Sequence, residues 1–126
     1  MWSGWWDIGV APENLLSYYG ALKSTFGPSV NDFVTVYMVP GTYHCGGNGP
    51  TPVWQDFLTP MIDWVETGVK PDKIVWSYLA SPSDPTVVKT RPNFPYPNIA
   101  RYAGTGSVNV ASSYVKGTPD VTVDDN

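Results

Sequence analysis

The sequence predicts an α/β fold in which helices pack against an open sheet. Two observations indicate this fold class: apolar residues recur at helical spacing between dense β-branched and aromatic runs, and the order is strand, helix, strand, loop, helix, strands. With 126 residues, the chain is long enough for one domain with a single core. We expect a β-α-β-α unit over about 1–70, strands and coil over about 71–116, and a frayed tail over 117–126.

The β-α-β unit is predicted from three adjoining stretches. Residues 1–6 are apolar and aromatic, which is typical of the end of a strand. Leucines and tyrosines at helical spacing predict a helix over about 13–26, and Pro12 suits its first turn. Residues 33–39 form a β-branched and aromatic run that is typical of a buried strand.

The second half of the chain contains more turn-forming residues. Apolar spacing predicts an amphipathic helix over 53–65, and we expect Pro60 to kink it or to divide it in two. Residues 74–79 and 86–91 are predicted to pair as a β-hairpin. From Pro92 onward we expect an irregular region rich in proline and glycine, because proline favours extended backbone.

Composition excludes several functional classes. A net charge of −4 with only seven Lys and Arg argues against a nucleic-acid partner. The apolar stretches are shorter than the roughly 18 residues of a membrane helix, which argues against a membrane partner. The first residues lack a basic segment and a cleavage-site pattern, so they do not resemble a signal peptide. A single cysteine, Cys45, excludes an internal disulfide, and we expect no cofactor and no metal site.

Aromatic residues are unusually frequent for a chain of this size. They make up 14% of the residues, with six tryptophans and eight tyrosines, which is more than a small core needs. Such an excess suits a surface that stacks on aromatic or carbohydrate ligands. It equally suits an interface with other protein segments.

One histidine and one aspartate occupy the positions at which an open sheet places reactive groups. His44, the only histidine, follows the predicted strand 33–39 on a glycine-rich loop over 40–50, and Asp7 follows the first strand in the same way. Neighbouring strand ends bring such loops together, so the carboxylate can orient the imidazole as a general base. An acid and a histidine separated by one helix are typical of the α/β-hydrolase triad.

Simpler interpretations of both residues stay open at this point. A lone histidine beside glycines is often an ordinary loop residue. An aspartate that precedes Ile-Gly-Val is often part of a turn or a cap. Spacing alone does not decide between these interpretations and a catalytic pair.

Several motifs occur in a fixed order along the chain. They are Gly4-Trp5-Trp6-Asp7, Pro12-Glu13-Asn14, Pro40-Gly41-Thr42-Tyr43-His44-Cys45-Gly46-Gly47, Trp64-Val65-Glu66-Thr67-Gly68, Lys70-Pro71-Asp72-Lys73-Ile74, Thr90-Arg91-Pro92, Pro95-Tyr96-Pro97 and Ala100-Arg101-Tyr102-Ala103-Gly104-Thr105-Gly106-Ser107. Together they resemble the tannase and feruloyl esterase family over about residues 3–116. The resemblance implies the carboxy-terminal part of an α/β-hydrolase, hence a truncated open sheet.

The resemblance also implies roles for individual residues. Asp7 corresponds to the acid of a Ser-His-Asp triad and His44 to its base. Cys45 corresponds to a cysteine that full-length members bridge to one beside the serine, and we expect it to be a free thiol here. Trp5, Trp6 and Tyr43 are candidate substrate-binding residues. Trp6 stands where the family usually has a small residue, and a hydrophobic plug over a bare sheet edge explains it equally well.

The chain departs from the family pattern in the nucleophile and in two cysteines. None of its ten serines lies in a Gly-x-Ser-x-Gly context. Ser107, which follows Gly104-Thr105-Gly106, matches that motif most nearly, but it belongs to the family's closing region. The family's oxyanion hole, lid and the calcium site of that lid lie upstream of the matched region. Phe94, and Lys116 or a neighbour, stand where the family has two further cysteines.

These observations favour a carboxylic ester hydrolase that acts on aromatic or phenolic esters, such as hydroxycinnamate, gallate or terephthalate-type esters and aromatic polyesters. Without a serine, we expect its activity to be weak or to depend on a partner. The alternative is an inactive remnant, or half of a split esterase, that acts as a binding module. Expected partners are an aromatic ester substrate and either a second copy of the chain or a complementary serine-bearing chain. The resemblance implies a secreted protein.

Overall fold

The structure is a computed structural model that describes residues 1–45 and 53–120. Part of the predicted glycine-rich loop, residues 46–52, and the end of the predicted tail, residues 121–126, lie outside the described residues. The elements in chain order are β1 (Trp2–Gly4), α1 (Pro12–Phe26), a 3-10 helix (Gly27–Asp32), β2 (Tyr37–Val39), β3 (Val53–Gln55), α2 (Leu58–Thr67), β4 (Ile74–Ser81), β5 (Asp84–Asn93), β6 (Ile99–Tyr102), a short 3-10 helix (Ala111–Ser113) and β7 (Tyr114–Gly117). None of the described helices has both the length and the apolar character needed to cross a bilayer.

The described strands form three small sheets. β1 and β2 are parallel neighbours, with Trp2 opposite Tyr37 and Gly4 opposite Val39. β3, β4 and β5 form an antiparallel sheet in that order, and β6 pairs antiparallel with β7. Because α1 lies between the parallel strands β1 and β2 in the chain, the predicted β-α-β unit is confirmed.

The short strand β2 is the centre of the core because both of its faces are covered. Tyr37 and Val39 pack on one face with Ile74 and Trp76. Met38 lies on the opposite face, in a cluster that is completed by Tyr19, Val30 and Val36. Alternation of side chains along a strand separates these two clusters, and burial on both faces is typical of a strand in a parallel sheet.

The strand predicted over 33–39 is shorter in the structure. Only Tyr37–Val39 pairs as a strand, although Val36 before it is also buried. The partner strand β1 has three residues, so it supplies hydrogen bonds for three residues of β2. Phe33 lies outside this pairing and is 53% exposed, so the prediction was wrong for the start of the run.

The helix predicted over 53–65 was wrong in its start and in the effect of its proline. Val53–Gln55 is instead a strand that pairs with β4, and helix α2 begins at Leu58. Pro60 neither kinks nor divides α2, since it lies in the first turn of the helix. An amide in the first turn has no carbonyl partner within the helix, so proline is tolerated there.

The hairpin predicted from residues 74–79 and 86–91 is confirmed and extends further, as β4 and β5. The irregular region predicted beyond Pro92 was wrong in part, because β6 and β7 form a second hairpin. The prolines at 95 and 97 precede β6, so they leave the backbone amides of this hairpin intact. β7 ends at Gly117, the first residue of the predicted tail.

Candidate active site

Two loops meet at one edge of the parallel β1-β2 sheet. Asp7 lies three residues after the end of β1, and His44 lies five residues after the end of β2. Since the strands are parallel neighbours, their carboxyl ends point to the same edge. The topology therefore brings together two side chains that are 37 residues apart in sequence.

The backbones of the two loops are in close contact. A Cβ atom at Gly4 would collide with the carbonyl group of Thr42, so only glycine fits at this position. The amide of Trp6 donates a hydrogen bond to the same Thr42 carbonyl at 3.2 Å. Gly41 has a φ of 69°, a left-handed conformation that favours glycine in the turn before His44. These contacts fix the separation of the two loops.

The Asp7 carboxylate accepts hydrogen bonds at both of its oxygens. The amides of Gly9 and Val10 each donate to Oδ1 at 2.9 Å, and Oδ2 lies 2.7 Å from Nδ1 of His44. The Asp7 side chain is only 4% exposed. Hydrogen bonds lower the pKa of the Asp7 carboxyl, chiefly the bond from the Val10 amide, followed by those from the His44 side chain and the Gly9 amide. Burial of the carboxyl acts in the opposite direction and raises its pKa.

The ionisation of the Asp7 carboxylate determines which imidazole nitrogen of His44 carries the proton. An ionised carboxylate has no proton to donate, so Nδ1 of His44 must be the donor in the 2.7 Å contact. In the neutral imidazole this leaves a lone pair on Nε2. The His44 side chain is 61% exposed, in contrast to the buried carboxylate. The pair therefore combines a buried acceptor with an exposed ring that can take up a proton at Nε2.

The three aromatic residues predicted to bind substrate are placed in two groups. The rings of Trp6 and Tyr43 stack with centroids 6.3 Å apart and an interplanar angle of 29°. These two residues immediately precede Asp7 and His44 in the sequence. Trp5 is held by a 2.9 Å hydrogen bond from its amide to the Val39 carbonyl.

Trp5 lines a cavity of about 1190 Å³ between α1 and the two hairpins. Trp76 and Tyr78 contribute to its wall, and Lys89 and Arg91 bring positive charge. Neither Asp7 nor His44 lines this cavity. Of the three predicted substrate-binding residues, Trp6 and Tyr43 therefore lie beside the Asp7–His44 pair, and Trp5 lines a separate cavity.

Four further residues were singled out in the sequence: Cys45, Ser107, Phe94 and Lys116. Cys45 is an exposed free thiol. The hydroxyl of Ser107 accepts a hydrogen bond from the amide of Asn109 at 3.2 Å, and no described contact joins it to His44. Phe94 is buried in the core, and Lys116 forms an ion pair with Asp72 at 3.1 Å. Within residues 1–45 and 53–120, no three His, Cys, Asp or Glu residues are grouped so as to hold a metal ion.

The sequence did not reveal how the loops are held together. Thr42 is fully buried, and its carbonyl packs against Gly4 and accepts a hydrogen bond from the amide of Trp6. The amides of Gly9 and Val10 contribute through the backbone, so their side chains gave no direct signal. The sequence feature that could have indicated these hydrogen bonds is Asp7 two residues before Gly9, because aspartates in turns often accept hydrogen bonds from nearby backbone amides.

Comparisons with known proteins place the chain in a family. The family model described as tannase and feruloyl esterase matches residues 1–116. The chain is 36% identical over 121 residues to mono(2-hydroxyethyl) terephthalate hydrolase from Piscinibacter sakaiensis, covering 94% of the chain and 19% of that protein. It is 40% identical over 79 residues to tannase from Aspergillus oryzae, covering 54% of the chain and 13% of that protein.

A solved structure has a similar fold. Feruloyl esterase B from Aspergillus oryzae superposes with a TM-score of 0.68 and 26% identity, covering 92% of the chain and 26% of that protein. The mixed helix and strand fold is therefore one found in esterases. The chain spans about a fifth to a quarter of the length of the first curated relatives that it matches. By the family model and by its identity to these relatives, the chain belongs to the tannase and feruloyl esterase family.

Proposed function

We propose that Asp7 and His44 are the acid and the base of a Ser-His-Asp triad that hydrolyses aromatic or phenolic esters, and that the serine is not part of this chain. The observation that carries the proposal is the 2.7 Å contact between Oδ2 of Asp7 and Nδ1 of His44. Family membership supports it, because relatives across the matched region are ester hydrolases by name.

The chemistry follows from the free nitrogen of the imidazole. Nε2 of His44 accepts the proton of a hydroxyl group while its oxygen attacks the ester carbonyl carbon. The carbonyl π electrons move to the oxygen and form a tetrahedral anion. When the anion collapses, the ester C–O bond breaks, and His44 returns the proton to the departing oxygen. If the hydroxyl belongs to a serine, the acyl group now lies on that serine; water, deprotonated by His44, attacks the acyl carbon in the same way, and the acid leaves as the serine regains its proton. Asp7 stays ionised and stabilises the imidazolium that forms in between.

The hydroxyl group has two possible sources. In the proposed triad it belongs to a serine on a complementary chain or another segment, which approaches the exposed face of His44. Without that serine, water is the nucleophile, and we expect a slow step because the family's oxyanion hole lies upstream of the matched region. Either source gives activity that is weak for the isolated chain or dependent on a partner.

The proposed substrates follow from the aromatic surroundings of the pair and from the relatives. The Trp6 ring is 53% exposed and stacks on Tyr43 beside the pair, so it offers a flat face to an aromatic acid. Relatives are named for terephthalate, tannin and ferulate esters. We therefore propose terephthalate-type, gallate or hydroxycinnamate esters, and from the family an extracellular site of action.

The second candidate function is a catalytically inactive remnant, or one half of a split esterase, that acts by association. Exposed apolar side chains next to the pair favour it, since Ile8 is 93% exposed, Trp6 53% and Val10 48%. Apolar side chains that lie together on a surface are typical of protein interfaces. A second copy of the chain and a complementary serine-bearing chain are the two proposed partners.

Hydrolysis of p-nitrophenyl acetate and p-nitrophenyl ferulate tests the first function. We expect slow hydrolysis that His44→Ala abolishes, that Asp7→Asn reduces on the order of 10²-fold or more, and that serine-directed phosphonates leave unchanged. Phosphonate labelling of one serine would contradict the absence of a nucleophile. Hydrolysis that survives His44→Ala excludes the triad role. No hydrolysis by the pure chain excludes attack by water, which leaves the partner-dependent triad and the second function.

A further inference from the structure

The two loops are joined by an aromatic contact as well as by the Asp7–His44 hydrogen bond. Trp6 and Tyr43 each lie one residue before a member of the pair, and their rings stack with centroids 6.3 Å apart. The Trp6 amide also donates to the Thr42 carbonyl, one residue before Tyr43. The ring contact therefore lies beside the hydrogen bond and joins the same two loops.

The two members of the pair are constrained to very different degrees. Asp7 is buried and is held by two backbone amides. The His44 side chain is 61% exposed, and its one described hydrogen bond is the bond to Asp7. This hydrogen bond is only partly buried, so water can compete for it and it restrains the exposed ring incompletely. A further restraint on the loop of His44 has to come from its neighbours.

We propose that Trp6 and Tyr43 form an interloop clamp that positions the imidazole of His44 against the carboxylate of Asp7. The clamp deepens the proposed function, because it assigns positioning roles beside the same pair. Stacked rings prefer one relative placement, so the stack restrains the backbone of residue 43 and, with it, residue 44. Trp6 keeps 53% of its surface exposed, so hydrophobic burial is not the main effect of the contact.

The single histidine allows a direct test by NMR. Labelling with ¹⁵N-histidine yields one imidazole, whose tautomer and Nδ1 proton exchange both report on the contact with Asp7. We expect the wild-type chain to show the Nδ1-protonated tautomer with slow proton exchange. Trp6→Ala should speed that exchange about two- to tenfold, and Trp6→Phe, which keeps a ring, should restore most of the protection.

Trp54→Ala is the matched control. Trp54 is 60% exposed, lies on β3 and belongs to no aromatic pair in the described part of the chain, so its removal should leave the Nδ1 signal unchanged. Equal exchange in folded Trp6→Ala and in the wild-type chain would overturn the clamp. If Trp6→Ala does not fold, Tyr43→Leu removes the other ring and gives the same comparison.

The NMR signal separates the clamp from the proposed function. A chain that hydrolyses no ester still supports the clamp if Trp6→Ala speeds the Nδ1 exchange. An unchanged Nδ1 proton in Trp6→Ala, together with hydrolysis that depends on His44, overturns the clamp and leaves the function. A wild-type imidazole without a protected Nδ1 proton overturns the Asp7–His44 pair itself, and both proposals with it.

Discussion

Oδ2 of Asp7 and Nδ1 of His44 lie 2.7 Å apart, although 37 residues separate them in the chain. The contact depends on the parallel pairing of β1 and β2, which directs both loops to one edge. The same carboxylate accepts the amides of Gly9 and Val10, so a local turn and a long-range contact share one side chain. A change at Asp7 therefore affects both the loop and the imidazole.

The first prediction concerns stability in acid. Hydrogen bonds from Val10, His44 and Gly9 lower the pKa of Asp7 in the folded chain, so the unfolded chain binds the proton more readily. The stabilisation by Asp7 is therefore fully present above its ordinary pKa of about 3.9 and is lost as the pH falls through the lower, folded value. Between pH 5 and pH 3, the Tm of Asp7→Asn should therefore fall by less than the Tm of the wild-type chain.

Asp63→Asn is the control for this experiment. Asp63 lies on α2, and its carboxylate accepts no described hydrogen bond, so the variant should keep the full acid sensitivity. Asp56 and Asp84 also have lowered pKa values through nearby threonines, so part of the acid sensitivity remains in Asp7→Asn. Identical Tm losses in Asp7→Asn and in the wild-type chain would contradict the assigned role of Asp7.

The second prediction concerns the close approach of the two loops. Gly4→Ala places a Cβ against the Thr42 carbonyl, which is backbone and cannot turn aside. We expect the free energy of unfolding to fall by about 1–3 kcal/mol, the usual range for overpacking. Denaturant unfolding measures the loss, and faster Nδ1 proton exchange at His44 should accompany it if the loops move apart.

Gly20→Ala is the matched control for Gly4→Ala. Gly20 lies in α1, and a Cβ there meets no atom within 4 Å. Alanine is a better helix former than glycine, so this variant should gain about 0.5–1 kcal/mol. Opposite signs for the same substitution test the steric explanation, and a loss of similar size at both positions would rule it out.

Much of the fold could be predicted because local patterns and tertiary structure agree there. α1 has apolar side chains at helical spacing and Pro12 at its start, and the β4-β5 hairpin consists of two β-rich runs. The errors arose where tertiary pairing overrides the local pattern. Trp54 and Gln55 pair with β4 as a strand, although the spacing around them fits a helix. Similarly, β6 and β7 each have four residues and gain their stability from each other.

The candidate pair could be predicted, whereas the contacts that hold it could not. Asp7 and His44 follow two β-rich segments, and parallel pairing brings such positions together. The interpretation of Asp7 as a turn residue was also accurate, since its Oδ1 accepts two nearby amides. The contribution of Thr42 comes through its carbonyl oxygen, which every residue carries, so the type of side chain at position 42 could not indicate it.

The third prediction concerns the core cluster on one face of β2. Trp76 is 1% exposed and packs edge-to-face on Trp2 and Phe57, with centroids 5.6 and 5.7 Å away. Removal of a buried aromatic ring typically costs about 3–5 kcal/mol, so Trp76→Ala should unfold most of a marginally stable chain. Trp54→Ala removes an exposed ring and should change stability by at most about 0.5 kcal/mol. Equal losses in the two variants, measured by urea unfolding, would contradict the assigned core.

The fourth prediction concerns an apolar stripe on α2, formed by Leu58, Ile62 and Val65. These side chains are 68%, 42% and 78% exposed, and their spacing places them along one side of the helix. A stripe of this kind favours association, because contact with another apolar surface removes it from water. We expect the chain to self-associate in sedimentation velocity experiments, and Val65→Lys to weaken that association about tenfold or more.

Thr59→Lys adds the same charge to the same helix as a control for Val65→Lys. Thr59 is exposed and lies off the stripe, about 100° around the helix from Leu58, so its substitution should leave association nearly unchanged. If both lysine variants associate more weakly, net charge is the cause. If neither does, the chain associates through another surface. The difference between them ties self-association to the stripe on α2, because both variants carry the same added charge on the same helix.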